Sequence, residues 1–303
     1  MEKNIANHRQ LLVENPANFN KLPTAQQSNP DFIKTLLCRT FNEYIEYEKP
    51  SSKWAVRSLF GCLEFFKYTP PAIQNNTELI QKCIPRCSGY LYRYLSPAVK
   101  NNPDLFIFAA KYASSKHIWK LANRYLAKNN LSHHQLFDYG TFSQFIEVQS
   151  ILAPDDSEKT LPFLAEKSVV LKAIPHQPQL FSRLNKTLQN NPAVARAAIK
   201  RSHLMFNCAG IAVKDNAAAV IDYVIAEAQY YHDSDDFVGF YWDQISARLR
   251  NSKRFYLQLL KKCSSAIEKK QVRGLISRNL LSNLIQLAPQ SIAADPQVQA
   301  FLK

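Results

Sequence analysis

Large apolar side chains recur along this chain at a fixed distance before a short polar punctuation. The punctuation is an amide or acid followed by proline or another small residue: Asn29-Pro30, Asn76-Thr77, Asn102-Pro103, Asn191-Pro192, Asp215-Asn216 and Asp295-Pro296. Eleven residues before its second member stand Phe19, Phe66, Tyr92, Phe181, Met205 and Ile285. Eight before it stand Leu22, Thr69, Leu95, Leu184, Cys208 and Ala288. Four before it stand Ile73, Val99, Leu188, Ala212 and Ile292, with Gln26 as the exception. Spacings of three and four stack side chains on one face of a helix. The pattern therefore predicts a short helix that ends at the punctuation.

The same punctuation starts the next element. An Asn or Asp side chain accepts from the free N–H groups of a following first turn. A proline directly after it loses nothing at the first helical position. Apolar residues then follow in "NPDLFIFAAKYA", "NPAVARAAIKRS", "DNAAAVIDYVIAEA" and "DPQVQAFL". Each unit thus reads as a helix, a turn and a shorter helix. Thr77 to Pro103 is 26 positions and Pro192 to Asn216 is 24, and Ser168 fits a further start 24 before Pro192. Between Asn216 and Ser252 the interval stretches to 36, with Trp242, Ile245 and Leu249 restoring the pattern. The predicted fold is all-α: an α-solenoid-like array of short antiparallel helix pairs, about 24 residues each. Units of this size cannot bury an apolar face alone and must stack.

The organisation expected from this is a set of N-terminal helical repeats over 1–128, an irregular connector over 129–162, and C-terminal helical repeats over 163–303 with an insert at about 228–241. "YRYLSPAVKNNPDLFIFAAKYAS" and "SRLNKTLQNNPAVARAAIKRSHLMFNCAG" resemble a tandem helical repeat of unknown function found in intracellular bacteria of the Legionella type and in some protists. The resemblance covers 15–115 and 165–225. It implies a helical repeat and a place among secreted effectors, and it carries no catalytic residues. Residues 116–165 and 226–294 depart from it, which is where a distinct function has room.

Composition narrows the class. The chain has 303 residues with 46% apolar content, which is globular rather than disordered. Only 6 glycines are present, which argues against glycine-rich phosphate loops. Six cysteines lie scattered without framework spacing, so they read as reduced thiols in a cytoplasmic protein, of the producer cell or of a host. "MEKNIANHRQ" is no secretory signal, and no apolar run approaches the ~18 residues of a spanning helix.

Charge is 38 basic against 24 acidic, net +14, and it is segregated. Asp215 to Asp243 holds seven acids and no Lys or Arg, whereas Arg248 to Arg278 holds ten bases and one acid, Glu268. Inside the acidic block, "AQYYHDSDDFVGFYWDQ" combines acids with aromatics, a composition that suits an interface. Tyr230, Tyr231, His232, Asp233, Asp235, Asp236, Phe240 and Tyr241 are the candidate partner-binding residues. Gly239 is misplaced for a calcium loop and no further zinc ligands lie near, so neither a metal nor a cofactor is expected. In the basic block, Arg248, Arg250, Lys253, Arg254, Lys261 and Lys262 are candidate anion-binding residues. A nucleophilic cysteine would need a histidine brought to it by folding. His117, His133, His134 and His203 are the candidates for that, and no local signature supports any of them. No catalytic residue is assigned. The leading expectation is a non-enzymatic scaffold that binds a protein partner. The alternative is a binder of RNA or anionic lipid through 248–278, and the third is a host-directed enzyme of unrecognised type.

Overall fold

The computed structural model describes Ile5, Asn7, His8, Leu11, Leu12 and residues 14–37, 63–87, 89–113, 161–231, 241–273 and 276–302. Among these residues every regular element is an α- or 3-10 helix and there is no strand. Most of the expected connector, 129–160, lies outside them. The longer helices are α1 (30–37), α2 (Thr77–Cys87), α3 (Pro103–Tyr112), α4 (Lys167–Ala173), α5 (Pro192–Ile199), α6 (Ala217–Tyr230), α7 (Lys253–Glu268) and α8 (Ile276–Gln286). None of these is long and apolar enough to cross a membrane. Contacts divide the chain into two compact units, Met1–Gln177 and Pro178–Lys303.

The polar punctuation is a helix cap. Asn29 Oδ1 accepts from the N–H of Asp31 and Phe32 at 2.9 and 3.1 Å. Asn76 does the same for Leu79 (2.9 Å), and Asn102 for Asp104 and Leu105 (3.0 and 3.2 Å). Asn191 accepts from Ala193 and Val194 (3.1 and 3.4 Å), Asn216 from Ala219 (3.1 Å) and Ser252 from Phe255 (3.3 Å). Asp295 serves the short helix Pro296–Gln299 through Gln297 N–H at 2.9 Å. Each of these bonds satisfies a donor that the helix itself leaves free.

Ten residues before each cap a large apolar side chain is buried: Phe19, Phe66, Tyr92, Phe181, Phe206, Trp242 and Ile285, none more than 6% exposed. Burying a side chain of this size contributes ~1.5–3 kcal/mol. Leu22, Thr69, Leu95, Leu184, Ala209 and Ile245 fill the position seven before the cap. Ile73, Val99, Leu188, Val213, Leu249 and Ile292 fill the position three before it. Gln26, at the third position of the first unit, is half-buried.

Three details differ from the sequence reading. First, the segment before the cap is two pieces rather than one helix. It comprises a 3-10 turn (Pro16–Lys21, Phe65–Tyr68, Gly89–Tyr94, Pro178–Arg183, His203–Phe206, Trp242–Gln244) and then a four-residue helix (Thr24–Gln27, Pro71–Gln74, Pro97–Lys100, Lys186–Gln189, Ile211–Lys214, Ala247–Arg250). The longer helix is the one after the cap. Proline explains the break in three units: Leu22, Thr69 and Ser96 each precede a proline and are extended, with ψ 153°.

Second, in the Asp215-Asn216 unit the cap is Asn216, so the register moves by one residue. Phe206 and Val213 are fully buried where Met205 and Ala212 were expected, and Ala212 is exposed. Third, the start assigned to Ser168 lies one residue earlier, at Lys167, behind a Glu166 whose side chain makes no cap bond.

A second device closes three of the turns. Two residues before the cap, Gln27 Nε2 donates to the carbonyls of Leu22 (2.7 Å) and Asn20 (3.3 Å). Gln74 donates to those of Thr69 (2.8 Å) and Lys67 (2.7 Å), and the buried Gln189 to those of Phe181 (3.2 Å) and Ser182 (3.0 Å). Carbonyls that end a 3-10 turn have no helical partner, and these amides supply one.

Successive units also lock to each other. Asn75 Oδ1 accepts from Ser96 Oγ (2.7 Å), and Asn190 Oδ1 from Ala212 N–H (2.8 Å). The N–H of Gly210 donates to Gln189 O, and that of Ser246 to Lys214 O, both at 3.1 Å. A Cβ on Gly210 would meet Asn190 Oδ1 at 2.4 Å, so a larger residue at this latch would displace the Asn190 side chain. Asp215 Oδ1 accepts from Ser246 Oγ. Long helix packs on long helix: α2 on α3 and α3 on α4 in the first unit, α5 on α6, α6 on α7 and α7 on α8 in the second. Alanines at the α5–α6 contact, Ala195, Ala198 and Ala219, are fully buried and allow close approach. Arg196 Nε bonds Asp222 Oδ2 across it at 2.6 Å.

Replacing Asn191 by Ala is expected to lower stability by about 1 kcal/mol in urea unfolding, whereas Ser at the same position retains most of it. Equal stability of the Ala and Ser variants would show that the cap bond contributes nothing.

Candidate functional site

The acidic and aromatic segment follows the end of α6 in sequence and runs to Tyr241. His232, Asp233, Asp235, Asp236 and Phe240 lie outside the described residues. Tyr230, Tyr231 and Tyr241 are described, and they form the two ends of the segment.

Helix periodicity brings Tyr223, Glu227, Tyr230 and Tyr231 to one face of α6. Tyr223 is fully buried and stacks on Phe206, with ring centroids 4.4 Å apart and planes 13° apart. Its hydroxyl accepts from the backbone N–H of Tyr241 at 3.0 Å, so one buried phenol holds the point where the segment returns. Glu227 is fully buried beside it. Burial, then the neighbouring Glu227 carboxylate, pushes the Tyr223 hydroxyl far above the ordinary phenol range. Tyr231 is pushed in the same direction by burial first, then by Tyr230 and Glu227.

His203 completes this root, a position that no local pattern in the sequence indicates. It is 3% exposed, with its ring centroid 4.8 Å from that of Tyr230 and 5.7 Å from that of Tyr231. The two tyrosines meet edge to face at 4.9 Å and 82°. Rings this close fill one another's faces, so the group is a packed anchor and not an open cage for a cation. Among the described residues the buried His203 Nε2 has no hydrogen-bond partner, and burial lowers its pKa to about 4. His203 is therefore a neutral, packed ring. Among the described residues its ring neighbours are the phenols of Tyr230 and Tyr231. Among the described residues Cys83 and Cys263 are buried and Cys208 is half-buried, and burial pushes Cys263 up to about 12. His117, His133 and His134 lie outside the described residues. Tyr230 is 45% exposed, and Leu204 and Ile211 are exposed at 42% and 84%.

The candidate anion-binding residues divide into two groups. Arg248 is committed to the latch: its Nε lies 2.9 and 3.1 Å from the Asp215 carboxylate oxygens and its Nη2 donates to Asp215 O at 2.8 Å. The Ser246 hydroxyl, and then Arg248, hold Asp215 below the usual carboxylate range. Arg250 stands two residues before the Ser252 cap, where other units carry glutamine, and its Nη1 lies 4.0 Å from Asp243. Lys253 Nζ lies 2.6 Å from Asp295 Oδ2, joining the first turn of α7 to the last cap. Arg254, Lys261 and Lys262 are exposed on α7. Phe255 and Tyr256, their aromatic neighbours in sequence, are buried, and the Tyr256 hydroxyl donates to Leu287 O at 3.1 Å.

No family model, curated protein or solved structure matches this chain.

His203 carries a pH signature. Its folded pKa is about 4, below an unfolded value near 6.5. Between those values the unfolded chain takes a proton that the folded chain refuses. Stability is thus full above pH ~6.5, falls as pH drops towards 4, and is flat below that. The loss is on the order of 2–3 kcal/mol. Urea midpoints measured from pH 7 to 4 are expected to fall less steeply for His203→Phe than for the parent. Parallel curves would refute the assignment.

Proposed function

We propose that this chain is a non-catalytic interaction scaffold, an array of stacked helical units that presents the acidic and aromatic segment around 230–241 to a basic protein partner. The observation that carries this reading is the repeated latch. Gly210 to Gln189 and Ser246 to Lys214 are the same backbone contact made by successive units, and Asn190 and Asp215 accept beside it in the same positions. A contact between the back of one unit and the front of the next does not close on itself, so repeating it extends an array. Such arrays offer long surfaces, and they bind through what is grafted on them.

The segment has the make-up of a graft. It adds residues between α6 and the next turn without disturbing the register: Trp242, Ile245 and Leu249 are buried ten, seven and three residues before Ser252. Its ends are held by Tyr223 and by the His203–Tyr230–Tyr231 packing, while Asp215 to Asp243 contains no Lys or Arg of its own. Acids beside tyrosines favour a partner that is cationic with an apolar body. This function accords with the resemblance to the Legionella-type repeat family and its expected place among secreted effectors.

Replacing 232–240 by a glycine-serine linker of equal length is expected to leave helicity and melting temperature unchanged. Recovery of the protein partner from the relevant cytosol is expected to fall at least tenfold, and Asp233→Asn/Asp235→Asn/Asp236→Asn to give part of that loss. An unchanged partner list from a folded variant removes this segment from the interface.

A further inference from the structure

We propose that the outer face of α7 is a docking strip for the phosphate backbone of a nucleic-acid duplex. Four exposed cations line it: Arg254, Lys261 and Lys262 on α7 and Lys269 at its C-cap. The last three stand seven, eight and fifteen residues after the first, close to two and four helical turns, so the four share one side and span ~22 Å at 1.5 Å per residue. Among the described residues none of the four side chains is held in an ion pair, in contrast to Arg248 and Lys253. Residues 251–294, which include all of α7 and α8, contain a single acid, Glu268, which is exposed fourteen residues after Arg254 and so stands on the same side as the cations.

What the strip lacks selects the partner. Single-strand binding uses exposed aromatic rings on which bases stack, and here Phe255 and Tyr256 are 2% and 0% exposed. A helix lying in a membrane surface needs an apolar face for the acyl boundary, and the apolar face of α7 is spent on the core through Leu259, Leu260, Cys263 and Ala266. A protein interface needs apolar anchors, and no large hydrophobic residue is exposed on α7. A duplex needs none of these. It offers one negative charge per ~1.7 Å of axis, and lysine and arginine alone bind it by releasing counterions. Such contacts position the protein without reading sequence.

The test is fluorescence anisotropy with the full chain and labelled duplexes of mixed sequence, one of RNA and one of DNA, titrated at several salt concentrations. Four phosphate contacts predict a slope of log K against log salt near about −3.6, and a fall of roughly a hundredfold between 50 and 200 mM salt. The variant Arg254→Gln/Lys261→Gln/Lys262→Gln/Lys269→Gln is expected to lose at least tenfold in affinity at the lower salt and most of the slope. A control with the same loss of charge elsewhere, Lys21→Gln/Lys167→Gln/Lys172→Gln/Arg201→Gln, is expected to stay within about threefold of the parent. If the quadruple variant loses helicity, Lys261→Gln/Lys262→Gln serves instead and is expected to remove about half the slope. Equal losses in strip and control variants would overturn the proposal, because net charge would then suffice. Absence of duplex binding at low salt, or capture by phosphatidylserine vesicles without duplex binding, would overturn it too.

Discussion

The arrangement depends on one contact: an amide, hydroxyl or carboxylate oxygen closing over the bare N–H groups of a helix start. Asn191 accepts two such N–H groups, and so does Asn102. Each cap fixes a chain direction, and that direction determines what the preceding ten residues can do. With the cap in place, the side chains three, seven and ten residues earlier face one way. Phe181, Leu184 and Leu188 enter the core together as a result. Caps are individually modest, on the order of 1 kcal/mol, and the buried rings they align are worth more. The cap's main contribution is positional. It removes alternative registers in which those rings would face water.

The cap register was legible because it is written in residue types with narrow roles. Asn followed by Pro can start a helix and cannot sit well inside one, so Asn102-Pro103 and Asn191-Pro192 read without ambiguity. Asp215-Asn216 misread because two capping residues stand together with no proline to choose between them. The structure uses both. Asn216 caps α6, and Asp215 faces the next unit, where it takes Ser246 and Arg248. Periodicity alone also joined the 3-10 turn and the four-residue helix into one element, since both place side chains at three- and four-residue steps. The prolines after Leu22, Thr69 and Ser96 held the information that separates them.

Other features were present in the sequence without a rule that would have found them. Gln27, Gln74 and Gln189 stand two residues before their caps, and each reaches back to the carbonyls of its own turn. A glutamine at a surface position ordinarily says nothing, and only recurrence at a constant offset distinguishes these. His203 is harder still. Its partners Tyr230 and Tyr231 lie at the end of α6, and the turn His203–Phe206 must pack on α6 before the three rings meet. Burial of a neutral imidazole is a tertiary event and leaves no local trace.

The same logic separates the two charged blocks, which look alike in a linear count. Much of the basic block near its start is structural: Arg248 bonds the Asp215 latch and Lys253 bonds Asp295. Those cations are matched to acids that face them across a unit boundary, and moving either partner would loosen the stack before it altered any surface. Arg254, Lys261, Lys262 and Lys269 have no such counterpart among the described residues. Exposed cations left unmatched over about four turns keep the helix soluble, but solubility is served as well by mixed charge. A face with four cations and one acid, beside a second helix that carries no acid, keeps a net positive charge. The acidic segment after α6 is the opposite case, a stretch of sequence without Lys or Arg. On α7 the apolar residues Leu259, Leu260, Cys263 and Ala266 are turned inward, so what its exposed side offers is left to charge.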